Sequence, residues 1–146
     1  MWSCVSSIDV MQPRERTEET MVARILIAED EAAVRALVTR ALTQDGHDVV
    51  ATADGSEALE AFTRAKKPFN LLLTDIKMPM MDGVALALAV ARDDPELPIL
   101  LMTGYADQRE RASGLDALIH DVIAKPFTLF EIQSAVAGAL AASPRR

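Results

Sequence analysis

Five residues of this 146-residue chain have the side chains to handle a phosphoryl group: the acid pair Glu29 and Asp30, then Asp75, Thr103 and Lys125. Each closes or follows a short apolar run, ARILIA before Glu29, FNLLLT before Asp75, PILLM before Thr103 and DVIA before Lys125. Three carboxylates gathered in one crevice repel one another, and each has a raised pKa unless a cation stands among them. An all-oxygen set without histidine or cysteine suits a hard cation, and a few carboxylates with room for water suit Mg2+ best. A hydroxyl and an ammonium on the other side of Asp75 complement an anion with three oxygens. In this arrangement Mg2+ held by Glu29, Asp30 and Asp75 screens the incoming phosphate. Lys125 pairs with one of its oxygens, Thr103 donates a hydrogen bond to another, and Asp75 is the nucleophile that becomes an aspartyl phosphate.

That convergence requires elements whose ends meet. From Val22 onward, short β-branched or leucine runs alternate with longer alanine-rich amphipathic stretches, the pattern of a parallel sheet with crossover helices. Strands are predicted over 23–28, 47–52, 69–74, 98–103 and 121–125, and helices over 31–45, 55–66, 83–92, 106–117 and 128–141. Short right-handed crossovers favour an α/β fold, a five-stranded parallel sheet of the flavodoxin-like doubly wound (βα)5 type with strand order 2-1-3-4-5. Ligands of such sheets bind outside the carboxyl ends of the strands, which is where LLLTDIKMPMMDG delivers Asp75 before breaking at Pro79 and Gly83. Thr128 with Glu131 three residues on reads as a capping box, and Gly46 falls where the first helix needs a left-handed residue.

The acid pair after a strand, TDIKMPMMDG around Asp75, MTG at Thr103 and AKPF at Lys125 together resemble the receiver domains of two-component response regulators. The resemblance covers roughly residues 23–142. It implies that the Lys125–Pro126 peptide is cis and that the backbone carbonyl of Lys77 is a further Mg2+ ligand. It also implies a histidine kinase or a histidine phosphotransferase as phosphodonor, and a domain that catalyses only its own phosphorylation and dephosphorylation rather than turning over a metabolite. With no output domain expected after Arg146, MTGYADQRERASGLD and AKPFTLFEIQSAVAGAL are similar to the CpdR type of single-domain regulators of alphaproteobacteria. That likeness implies an adaptor of the ClpXP protease in cell-cycle control, which engages ClpX when unphosphorylated, works in the cytoplasm and gathers at the cell pole. Two departures stand out: Val122 occupies the place where many receivers carry an aromatic switch, and the chain ends in SPRR rather than an alanine pair. Tyr105, on the loop after Thr103, is the other switch candidate, and the helix over 106–117 a third.

The totals agree with this reading. The length suits one domain, expected as a disordered extension over 1–21, a receiver domain over 22–142 and a short tail over 143–146. The extension is otherwise sequence upstream of a true start at Met21. A formal net charge of −7 argues against a nucleic-acid binder, which needs a clustered basic face. Cys4 is the single cysteine, which excludes an intramolecular disulfide and fits a reducing compartment. No apolar stretch approaches the roughly 20 residues that span a bilayer.

Plainer readings stand beside each of these. Glu29 and Asp30 could simply cap the first helix, and Met78 and Met81 pack a loop that shapes the site. His47 and His120 precede strands, so they belong at the end of the sheet opposite Asp75. Arg109 and Arg111 lie on a solvated helix face or a docking surface. The competing function is a phosphate shuttle or sink without a regulated partner. A phosphatase of the haloacid dehalogenase kind would want a second aspartate two residues after the nucleophile, and Lys77 stands there.

Overall fold

The computed structural model describes residues 22–104, 113–115 and 117–143. Five parallel strands, β1 (Arg24–Ala28), β2 (Asp48–Thr52), β3 (Leu71–Asp75), β4 (Ile99–Thr103) and β5 (Asp121–Ala124), form one sheet in the order β2-β1-β3-β4-β5. Four α-helices connect or follow them: α1 (Ala32–Gln44), α2 (Gly55–Arg64), α3 (Gly83–Asp93) and α4 (Leu129–Ala142). This is the flavodoxin-like arrangement the sequence predicts. The expected extension over 1–21 with Cys4, the tail beyond Ser143, and Tyr105, Arg109 and Arg111 lie outside the described residues. So does most of the helix predicted over 106–117, within which Ser113–Leu115 forms a single 3-10 turn.

Every residue of β3 and β4 is buried, because helices cover both faces of the sheet and a strand covered on both sides must be apolar throughout. The strand period of two then sorts the core into two layers. Leu26, Leu72, Ile99 and Leu101 pack under α2 and α3, against Ala58, Leu86 and Val90. Ile25, Ile27, Leu71, Leu73, Leu100 and Met102 pack under α1 and α4, against Val38, Leu42, Ile132 and Val136. Each large aliphatic side chain so buried contributes about 1.5–3 kcal/mol of transfer free energy.

Local signals end the elements. His47 N–H donates to the Leu42 carbonyl at 3.1 Å and Gly46 N–H to the Thr43 carbonyl at 2.9 Å. With Gly46 at φ +87°, this pair of bonds closes α1 as a Schellman motif. Asp54 and Asp82 cap α2 and α3 by accepting from Glu57 and Ala85 N–H, each at 2.8 Å. Thr128 and Glu131 form the complete capping box at α4. The first helix is capped by neither of its preceding acids in that way: its N-cap, Glu31, makes no side-chain cap bond, and Glu29 reaches forward to the Glu31 N–H instead.

Two bounds of these strands and α-helices differ from the sequence reading by two residues, and the others by one at most. The third strand begins at Leu71 rather than at residue 69, because Phe69 and Asn70 serve Arg24. The Asn70 side-chain oxygen accepts from the Arg24 N–H at 2.8 Å, and the Arg24 guanidinium lies 4.3 Å from the centre of the Phe69 ring. The second helix stops at Arg64, with Ala65 extended at ψ 132°, ahead of Pro68.

Candidate functional site: an acidic crevice at the carboxyl end of the sheet

Strand register brings the chemistry together. Ala28 pairs with Thr74, so the next residues, Glu29 and Asp75, stand abreast at the ends of the adjacent strands β1 and β3. Thr103 pairs with Ala124, which places Lys125 just beyond the end of the neighbouring edge strand. Side-chain parity also matters: Glu29 continues the face of Ile25 and Ile27, Asp75 that of Leu71 and Leu73, and Lys125 that of Ile123, all on the α1 and α4 side. Thr103 shares the parity of Ile99 and Leu101 and is buried at the end of β4.

The crevice is a compact ion cluster. Carboxylate oxygens of Glu29, Asp30 and Asp75 lie within 4.8 Å of one another, with Glu29 and Asp75 buried and Asp30 exposed. Lys125 Nζ lies 3.0 Å from Glu29 Oε1 and donates to Asp75 Oδ2 at 3.2 Å. Glu29 Oε1 is fully buried and faces the Lys125 ammonium across this short ion pair. The second oxygens of the two buried carboxylates are engaged, Asp75 Oδ1 by the Ile76 N–H at 2.8 Å and Glu29 Oε2 by the Glu31 N–H at 3.0 Å.

Burial pushes the Asp75 carboxyl above its ordinary value; Lys125 and the Ile76 N–H pull it back, and the Asp30 charge adds to the rise. Glu29 is likewise raised, first by burial and then by Asp75, against the Glu31 N–H and Lys125. For Lys125 burial acts to lower the pKa, but the Glu29 and Asp75 carboxylates outweigh it and hold the ammonium above the usual lysine value. Among the described residues one ammonium, Lys125, contacts this group of three carboxylates, which leaves it short of positive charge.

A backbone device sets the far side. After Asp75 the chain runs through Ile76 to Met81 and returns so closely that a Cβ on Gly83 would overlap the Asp75 carbonyl oxygen. The Gly83 N–H donates to the Ile76 carbonyl at 2.7 Å, closing the loop that carries Lys77. Met78 is buried in the core beneath this loop and Met81 packs against it, whereas Met80 is 84% exposed.

Around the ion cluster opens a cleft of about 510 Å³. Asp75, Lys77, Gly104 and Lys125 line its polar part, with Val34 and Leu37 of α1 on one side and Pro126 and Phe127 on the other. The Lys125–Pro126 peptide is cis. Val122 lies in β5 and packs on the opposite face, toward α2 and α3, so of the two named switch candidates the described one does not line the cleft. His47 accepts from the Ala23 N–H at 3.0 Å, and the His120 N–H donates to the Ile99 carbonyl at 2.7 Å. Both therefore sit at the amino ends of the strands, away from Asp75.

Sequence reasoning missed the α1 contributions: Val34 and Leu37 as walls, and Arg35, whose Nη1 donates to the Glu29 carbonyl at 2.9 Å. The available signal was a cation near the start of a helix, where the dipole disfavours it.

Fold and site together describe a receiver, and comparison with known proteins bears this out. The chain matches the response regulator receiver domain over residues 25–137 and belongs to that family. It is 38% identical over 112 residues to the response regulator MprA of Mycobacterium ulcerans, covering 77% of this chain and 47% of that protein. It is 34% identical over 117 residues to the probable transcriptional regulator ycf27 of Porphyridium aerugineum, covering 80% of this chain and 48% of that one. The chain thus spans about half the length of these relatives. The crystal structure of a CheY-like receiver domain protein from Methanospirillum hungatei is 28% identical and superposes with a TM-score of 0.74, covering 82% of this chain and 94% of that one. Receivers take phosphate from histidine kinases.

Proposed function

We propose that Asp75 accepts a phosphoryl group in the presence of Mg2+ and that the phosphorylated domain switches a protein–protein interaction. The observation that carries this reading is the site's charge: three carboxylates converge, and the two buried ones, Glu29 and Asp75, share one ammonium, Lys125, among the described residues. The residues present fit Mg2+. Glu29, Asp30 and Asp75 offer carboxylate oxygens and Lys77 a backbone carbonyl, with the exposed side of Asp30 leaving room for water. When bound, Mg2+ supplies positive charge beside the phosphoryl oxygens.

The chain's own groups do the rest. An Asp75 carboxylate oxygen forms the new bond to phosphorus while the P–N bond of a phosphohistidine donor breaks, and the imidazole nitrogen leaves with the electron pair. Lys125, already held beside Asp75, pairs with one phosphoryl oxygen and Thr103 donates to a second. Hydrolysis reverses the loading: water attacks phosphorus, inorganic phosphate departs and the Asp75 carboxylate is restored. The apolar walls from Val34, Leu37, Pro126 and Phe127 suit the flat ring of the donor imidazole. A histidine kinase or a histidine phosphotransferase can present it. The outcome is a changed population of conformers rather than a released product, so we read the domain as a switch and not as a turnover enzyme.

For the partner, the likeness of MTGYADQRERASGLD and AKPFTLFEIQSAVAGAL to the CpdR type favours a phosphorylation-controlled adaptor of ClpXP, working in the cytoplasm and gathering at the cell pole. No helix among the described residues is long and apolar enough to cross a membrane. The test is transfer from a phosphorylated histidine kinase to wild type and to Asp75→Ala, followed by capture of ClpX with and without Mg2+ and beryllofluoride. The reading expects labelling lost in Asp75→Ala, and ClpX capture lost on adding beryllofluoride. Labelling with no phosphate-dependent capture would leave a phosphate shuttle; labelling retained in Asp75→Ala would sink the acceptor assignment.

A further inference from the structure

The turn from β1 into α1 carries two of the three carboxylates, and a cation from α1 holds it. Arg35 is half-buried one turn into the helix, and its Nη1 donates to the Glu29 carbonyl at 2.9 Å. Its own N–H donates to the Glu31 carbonyl, also at 2.9 Å. From the other side, the Glu29 N–H donates to the Thr52 carbonyl at 3.1 Å, and Glu29 Oε2 accepts from the Glu31 N–H. The peptide that joins Glu29 to Asp30 is therefore gripped at its carbonyl by a side chain from the next element. Asp30 is exposed, so the aim of its carboxylate depends on the backbone that carries it.

We propose that Arg35 is a positioning residue for the acidic pair: by holding the Glu29 carbonyl it fixes the peptide that points Glu29 and Asp30 at the cation, while itself touching neither cation nor phosphoryl group. The inference rests on the Mg2+ and phosphoryl reading of the crevice. Its test is sharp because charge and position predict opposite signs. A guanidinium beside a cation site repels the cation, so on charge alone removing Arg35 strengthens Mg2+ binding. If Arg35 positions the ligands, removing it weakens binding, since partners that orient metal ligands carry roughly 10–100-fold of metal affinity.

The experiment compares the full chain with Arg35→Met, Arg35→Lys and Arg40→Met. Arg40 is exposed on the same helix and serves as the charge control. Calorimetric titration with Mg2+ alone is read beside amide hydrogen exchange of the metal-free proteins. The expected result is Mg2+ binding at least about tenfold weaker in Arg35→Met. Faster exchange at the Glu31 N–H should accompany it, with partial recovery in Arg35→Lys and little change in Arg40→Met. Unchanged or tighter Mg2+ binding in Arg35→Met, with only its melting temperature lowered, overturns the proposal. If Arg35→Met does not fold, Arg35→Gln, which loses the charge and keeps a shorter donor, is read against the same criterion. Wild type that takes up no Mg2+ refutes the crevice reading itself, and this inference with it.

Discussion

Replacing Lys125 by methionine removes the ammonium that Glu29 and Asp75 share while keeping most of the side chain's apolar length. The two carboxylates it contacts are almost wholly enclosed, with side chains 0% and 8% exposed for Glu29 and Asp75, and Lys125 itself is 19% exposed. Removing one partner of a buried ion pair costs about 3–5 kcal/mol, because the surviving charge is left without compensation. Solvent access to the lysine trims this to roughly 2–3 kcal/mol. In a domain of this size that lowers the melting temperature by about 6–12 °C. The loss should be largest in EDTA, where Glu29 and Asp75 then have neither the ammonium nor a metal ion beside them. Mg2+ should restore more stability to Lys125→Met than to wild type, because its charge no longer competes with an ammonium for Glu29 and Asp75. At about a hundred times its dissociation constant, a ligand of the native state contributes ~2.7 kcal/mol. Scanning calorimetry in EDTA and in saturating Mg2+ measures all four states. The exposed pair Arg64 and Glu60, 3.1 Å apart on α2, supplies a control in Arg64→Met, which should cost under about 1 kcal/mol. If Lys125→Met melts with wild type in EDTA, or if Mg2+ leaves the gap between them unchanged, the electrostatic account of the crevice is wrong.

Three further outcomes follow from the structure. The Asp75 carboxyl is raised above 3.8, chiefly by burial, so its contribution to stability is full below the unfolded value and is lost as pH rises through the folded one. Metal-free Asp75→Asn should therefore be more stable than wild type at pH 7, an advantage that fades toward pH 4; urea midpoints at both pH values check it, and an advantage that grows in acid contradicts the burial argument. Gly83→Ala drives a Cβ into the Asp75 carbonyl and should cost about 1–3 kcal/mol as well as slow phosphorylation. Gly138→Ala, which meets open space on α4, should instead stabilise by about 0.5–1 kcal/mol, and chemical denaturation reads both signs.

How much of this was legible in the sequence varies with the range of the interaction concerned. The apolar runs at Leu71 to Leu73 and Ile99 to Leu101 announce buried strands because covering both faces leaves no place for polar residues. Local devices such as the Thr128 and Glu131 box and the turn at Gly46 are equally plain, since their partners lie within five residues. The approach of Glu29, Asp75 and Lys125 follows from parallel register once the strand order is assumed, and their shared parity places them on one face. What the sequence conceals is where backbone groups seek side-chain partners. Nothing in AAVRALVTR says that Arg35 reaches back to the Glu29 carbonyl, or that Val34 and Leu37 wall a cleft whose other side is Pro126 and Phe127. Phe69 and Asn70 read as strand because their types allow it, and only the contacts with Arg24 take them out of it.

The central claim is that Asp75 is the phosphoryl acceptor, and peptide mapping by mass spectrometry tests it most directly. Protein incubated with Mg2+ and a small phosphoramidate donor should gain one phosphoryl group, located at Asp75 and removed by hydroxylamine as an acyl phosphate is. The gain should vanish in EDTA and in Asp75→Asn. A phosphoryl group found on another residue, or one that forms equally well without Mg2+, would contradict the account.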